Sequence, residues 1–181
     1  FASVFTFPAV SLQTGEEGQK RDAAGDLQPI RAQRRQRKLM IQFIIGEKGK
    51  GKTKVLLEKA NREIKTASGS VVYLDKNGQH MYELNNKIRL IDVTRFPLTD
   101  SDEFIGFLCG IISQDHDLEI VYLDSFLKIA KLDGGDLPAV KEVLKQIDAI
   151  GKMFQVNFVI SISMTRSQLP QEYAENIVAE L

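Results

Sequence analysis

Met40-Ile41-Gln42-Phe43-Ile44-Ile45 is an apolar, β-branched run, and it stops at Gly46-Glu47-Lys48-Gly49-Lys50-Gly51-Lys52-Thr53. The first six residues read as a buried strand. After the glycines, Leu56, Leu57, Ala60 and Ile64 recur at helical spacing over Lys52–Lys65. Between strand and helix the spacing is G-x-x-x-x-G-K-T, and each fixed position has a physical reason. Glycines take positive φ and let the backbone approach an anion with no Cβ in the way. The exposed amides then converge on phosphate oxygens, helped by the positive end of the helix. Lys52 reaches the β and γ phosphates, and the Thr53 hydroxyl offers an oxygen to Mg²⁺, a hard ion. All eight positions, Gly46, Glu47, Lys48, Gly49, Lys50, Gly51, Lys52 and Thr53, are therefore candidate nucleotide contacts. Lys48 and Lys50 add positive potential rather than chemistry.

Downstream, short apolar runs alternate with amphipathic ones. Val71–Leu74 reads as a second buried strand ending at Asp75, with Lys76-Asn77-Gly78 as a turn. His80–Leu84 suits either a hairpin arm or a helical turn. Ile88–Val93 is a strand, and Asp100–Ser113 is a helix capped by Thr99 or Asp100, with Phe104, Leu108, Ile111 and Ile112 inward. Glu119–Leu123 is a strand ending at Asp124. Leu137–Ile150 is a helix with Asp136 at its cap and Gly151 at its end. Gln155–Ile162 is a last strand, and Pro170–Leu181 a last helix. This alternation predicts an α/β fold, a three-layer α/β/α sandwich with a mainly parallel sheet, over residues 40–181.

A second acidic site completes the pattern. Mg²⁺ needs a carboxylate held near the loop, and Asp124 follows Ile120-Val121-Tyr122-Leu123 at a strand end. With this Walker B pattern beside the loop, a Walker A motif, residues 40–181 resemble a P-loop NTPase. Asp124-Ser125 is similar to RecA-like ATPases. The chain also resembles short stand-alone bacterial P-loop proteins often labelled as twitching-motility ATPases, although it lacks the His and acidic boxes of pilus retraction motors. The resemblance implies ATP and Mg²⁺ as cofactors, with Thr53 and Asp124 at the metal. Many ATPases of this group carry Glu directly after the Walker B Asp; here Ser125 stands there and cannot act as a base. RecA-like enzymes instead place an acid at the end of the second strand, which points to Asp75, a residue that also suits the turn following it. Ser163 or Thr165 is a candidate γ-phosphate sensor. Arg166 is either an arginine finger or a solvated arginine.

Three functions stay open on these residues. One is a weak Mg-dependent ATPase. Another is a non-catalytic nucleotide sensor or assembly module, which Ser125 favours. The third is a P-loop kinase acting on a small molecule, which the short, arginine-free loop Asp133-Gly134-Gly135-Asp136 argues against. Guanine recognition is not expected, because Asn86-Lys87-Ile88-Arg89 lacks the aspartate of Asn-Lys-x-Asp. His80 and His116 read as surface residues, and Cys109 as a small buried apolar one.

Composition sets the outer bounds. The 181 residues are 43% hydrophobic and 27% charged, ordinary for one globular domain. A single cysteine excludes an internal disulfide. No apolar run is long enough for a membrane helix, so a cytoplasmic protein is expected. The net charge of +0 hides an asymmetry. Residues 1–39 carry seven basic residues (Lys20, Arg21, Arg31, Arg34, Arg35, Arg37, Lys38) against four acidic ones (Glu16, Glu17, Asp22, Asp26). We expect this segment to be a disordered or non-native extension, with Met40 as the native start. Its basic stretch 31–38 is the one feature suited to nucleic acid. A protein partner or a homo-oligomer remains compatible with the sequence.

Overall fold

A computed structural model describes residues 40–134 and 137–181. The expectations for residues 1–39 and for the Asp136 cap lie outside these residues. Six strands form one all-parallel sheet: β1 (Ile41–Ile45), β2 (Ser70–Asp75), β3 (Ile88–Asp92), β4 (Leu118–Leu123), β5 (Asn157–Ile162) and β6 (Ile177–Glu180). Their order across the sheet is β3-β2-β4-β5-β1-β6. The helices are α1 (Lys52–Glu63), α2 (Ser101–Gln114), α3 (Phe126–Ile129) and α4 (Leu137–Phe154).

Strand alternation sorts the core into two layers. Val72, Leu74, Val121, Leu123, Phe158 and Ile160 pack with α2 and α4 on one face. Val71, Tyr73, Ile120, Tyr122 and Val159 pack with Leu56, Leu57 and Ala60 of α1 on the other. Both faces are covered, which is why the central strands read as continuous apolar runs. Helix α2 starts where its sequence says it should: Asp100 accepts from the Glu103 amide at 2.9 Å, while the Glu103 carboxylate reaches back to the Thr99 amide and hydroxyl.

Two sequence expectations need correction, and one open alternative is decided. Pro170–Leu181 is not a helix. Gln171–Asn176 forms a 3₁₀ segment and Ile177–Glu180 becomes β6, parallel to β1. The open edge of β1 supplies unpaired backbone groups, and the β-branched pair Ile177-Val178 answers them. Asn176 Nδ2 donates to the Ile41 carbonyl at 2.8 Å, and Tyr173 packs on Phe43 with ring centroids 5.4 Å apart. Helix α4 does not end at Gly151 but runs to Phe154. Gly151 serves packing instead, since a Cβ there would lie 2.9 Å from the Val156 carbonyl oxygen. The left-handed residue that ends the helix is Gln155, at φ 58°. Gly78–Tyr82 is a 3₁₀ turn, which removes the hairpin alternative. Short helix α3 has no counterpart in the periodicity; Phe126 and Ile129 bury it against the sheet.

No described helix is long and apolar enough to cross a membrane.

Candidate functional site

In a parallel sheet all the strands end on one side, and the residues following β1, β2, β4 and β5 meet there. Asp75 and Asp124 come together because β2 and β4 are neighbours with Leu74 opposite Leu123, and the Asp124 amide donates to the Leu74 carbonyl at 2.9 Å. By alternation both carboxylates share the face that carries α1. Strand β5 separates β4 from β1 and brings its own polar residue between them, Ser161.

Asp124 is almost fully buried and held by three groups. Thr53 Oγ1 donates to both of its oxygens, at 3.1 and 3.0 Å. Ser161 Oγ donates to Oδ1 at 2.6 Å, and the Ser125 amide donates to the same oxygen at 2.8 Å. Ser125 takes φ 54° to aim that amide, which also donates to Ser161 Oγ at 2.8 Å. The start of α1 is thus bonded to the end of β4.

The glycine loop arches over this cluster. Gly49 and Gly51 both sit at φ 87°, in the left-handed region. The Lys52 ammonium turns back along the loop, donating to the carbonyls of Gly46 at 2.8 Å and Glu47 at 2.6 Å. Burial holds its pKa below the ordinary lysine value, partly opposed by the nearby Asp124 charge. The amides of Lys48, Gly49, Gly51, Lys52 and Thr53 have no acceptor among the described residues. A cleft of about 550 Å³ opens in front of them. Among the described residues its wall carries the lysines 48, 52, 76 and 128 against one carboxylate, Asp133, which suits a polyanion.

The sequence candidates divide here. Gly49, Gly51, Lys48, Lys52 and Thr53 line the cleft, as does Ser163. Gly46, Glu47 and Lys50 lie on the other side of the loop, with Thr165, in a smaller hollow closed by β6. Thr165 bonds Gln168 and Ser167 instead of facing the cleft. Arg166 does not line the cleft either: its Nε donates to Glu180 of β6 at 3.0 Å. Ser161, Lys76 and Lys128 were missed. Ser161 had a signal, a hydroxyl inside the apolar run Phe158-Val159-Ile160-Ser161-Ile162. The lysines had none, because their position depends on which loops the sheet gathers.

Asp75 is fully buried behind the cleft wall, and neither carboxylate oxygen has a hydrogen-bond partner. Burial and then the Asp124 charge raise its pKa, opposed in smaller measure by His80 and by the backbone of Asn77 and Lys76. A raised carboxyl pKa means the folded protein keeps this proton to higher pH than the unfolded chain does. Stability is therefore fully present below the ordinary value of 3.8 and falls as pH rises through the folded value. Asp75→Asn cannot ionise. We expect it to raise unfolding free energy at pH 7.5 by about 1–3 kcal/mol, with the gain vanishing toward pH 3.8. Urea titration in the presence of a chelator measures this, and an equal gain at both pH values would mean the charge is not the cause.

The chain matches no protein-family model, and no curated protein matches it.

Proposed function

We propose that this protein binds ATP with Mg²⁺ through the P-loop at residues 46–53 and hydrolyses it slowly. The observation that carries this reading is the Thr53–Asp124 pair beneath a glycine loop with five amides that lack acceptors among the described residues. Thr53 gives its proton to Asp124 and so keeps its oxygen lone pairs for another partner. Thr53 and Asp124 would hold Mg²⁺, a donor set of hard oxygens that fits this ion. Mg²⁺ held there would supply positive charge against the terminal phosphate.

The chain's own residues do the rest. Loop amides and the N-terminus of α1 receive phosphate oxygens. The Lys52 ammonium, already over the loop, exchanges its two carbonyl partners for phosphate oxygens. Ser163 lines the cleft and would meet a terminal phosphate. The described residues support slow turnover: Ser125 is no base, Asp75 is sealed behind the wall, and Arg166 pairs with Glu180. The same three facts favour a nucleotide sensor as the second reading.

Phosphate release and ATP binding, each measured with and without Mg²⁺, test both. We expect Mg-dependent binding and turnover of about 0.001 per second or less, the range of P-loop enzymes working without an arginine at the phosphate. Thr53→Val should bind ATP with its Mg²⁺ dependence lost. Tight binding with no phosphate released selects the sensor; phosphate appearing on an added acceptor selects a kinase.

A further inference from the structure

The site residues do not account for His80. It lies on the 3₁₀ segment Gly78–Tyr82, yet one of its ring nitrogens, one Asp75 oxygen and one Asp124 oxygen all lie within 4.8 Å of one another. We propose that Asp75, His80 and Asp124 form a second divalent-cation site, separate from the nucleotide's Mg²⁺ and selective for a transition ion such as Zn²⁺ or Mn²⁺. This inference stands on the side-chain geometry and does not require that the protein bind ATP.

Three observations carry it. First, Asp75 is fully buried and both of its oxygens are without a partner, an arrangement that calls for a cation or a proton. No Lys or Arg among the described residues pairs with it or with Asp124, and the nearby Lys52 is committed to two carbonyls. Second, His80 is oriented from behind. Its Nδ1 lies 2.8 Å from Glu83 Oε1, so an Nδ1–H donated to that carboxylate leaves the Nε2 lone pair free. A carboxylate fixing the ring's far nitrogen is the usual support of a metal-bound histidine. Third, the donor set is mixed. One imidazole with two carboxylates suits Zn²⁺ or Mn²⁺, whereas Mg²⁺ prefers oxygen alone.

The spacing asks for a small contraction. Ligands about 2.1 Å from a tetrahedral ion stand about 3.4 Å apart. Asp75 has no hydrogen bond to give up in moving, and the short 3₁₀ segment that carries His80 buries none of its residues. Binding would pin that segment to the ends of β2 and β4. It would also draw on Asp124, the carboxylate that Thr53 holds.

The test uses the full chain, stripped with a chelator and free of nucleotide. Zn²⁺ is titrated by calorimetry, and Mn²⁺ by electron paramagnetic resonance with detection of nitrogen coupling. We expect one saturable equivalent, a nitrogen signature on Mn²⁺, and a rise in thermal midpoint with Zn²⁺ that millimolar Mg²⁺ does not reproduce. His80→Gln should weaken binding at least about tenfold and abolish the nitrogen signal. Asp75→Asn should remove the site. His116→Gln, at the chain's other histidine, should bind as the parent does. No saturable equivalent, no nitrogen coupling in the parent, or equal affinity in His80→Gln each overturns the proposal. An absence of all metal binding would leave Asp75 holding a proton instead. Because no nucleotide is present, failure here leaves the ATP reading untouched, and loss of ATP binding would leave this site untouched.

Discussion

Lys52→Ala is expected to bind Mg-ATP about a hundredfold more weakly than the parent, a loss of about 2.7 kcal/mol. Charge-assisted hydrogen bonds to phosphate are each worth about 1.5–3 kcal/mol, and Lys52 is the one ammonium seated inside the loop itself. Lysines 48, 76 and 128 at the rim supply attraction without fixed geometry, so they do not replace it. The fold should survive. Removing the ammonium leaves the Gly46 and Glu47 carbonyls without its hydrogen bonds, but it also removes a charge that burial disfavours. The two effects oppose each other, and the net change in stability should stay within about 1 kcal/mol. Titration calorimetry with ATP, alongside thermal unfolding of both proteins, measures the two quantities separately. A variant that folds and binds ATP as tightly as the parent would end the P-loop reading.

The second large effect is on stability. Gly46 sits at φ 147°, and a Cβ there would lie 2.4 Å from the Leu181 carbonyl oxygen and 3.1 Å from the Leu181 carbonyl carbon and Cβ. Two of the three are backbone atoms, and the Leu181 amide's bond to the Ile45 carbonyl at 3.1 Å holds that residue beside the loop. Gly46→Ala must therefore strain the loop's first residue, turn the Leu181 carbonyl or shift Leu181 away from the end of β1. We expect a loss of about 3 kcal/mol, near the upper range for backbone strain, and a thermal midpoint lower by about 6–12 °C. Gly49→Ala is the control. Its φ of 87° is also unfavourable, but nothing lies within 4 Å of the added carbon. Strain alone should cost about 1–2 kcal/mol there. Denaturant titration of both variants decides the matter; equal costs would mean that β6 does not crowd Gly46.

Local features of the chain were legible and non-local ones were not. Strand β1, the glycine turn and α1 follow from consecutive residues, each with its own signal in composition or period. Asp75 and Asp124 could be picked out singly, as acids at strand ends. That they stand side by side depends on β2 and β4 being neighbours, which no run of residues encodes. The closeness of His80 to both depends on that pairing as well, so the sequence offered it only as a surface histidine. Strand β6 was misread for the same reason: Ile177-Val178-Ala179 is too short to show a period, and what makes it a strand is the vacant edge of β1. The partner of Arg166 was lost with it, because Glu180 reaches Arg166 only once β6 is in place.

The pairing of β6 with β1 also bears on when the molecule can become competent. Asn176 and Ile41, which it joins, are 135 positions apart. Closing so long a span carries an entropic penalty and slows folding. On the ribosome, the nucleus of β1 and α1 emerges early, yet the wall beside Gly46 arrives only when residues 177–181 leave the tunnel. Nascent chains should therefore carry the glycine turn for a long interval with its Gly46 side uncovered, and that side should close late in synthesis.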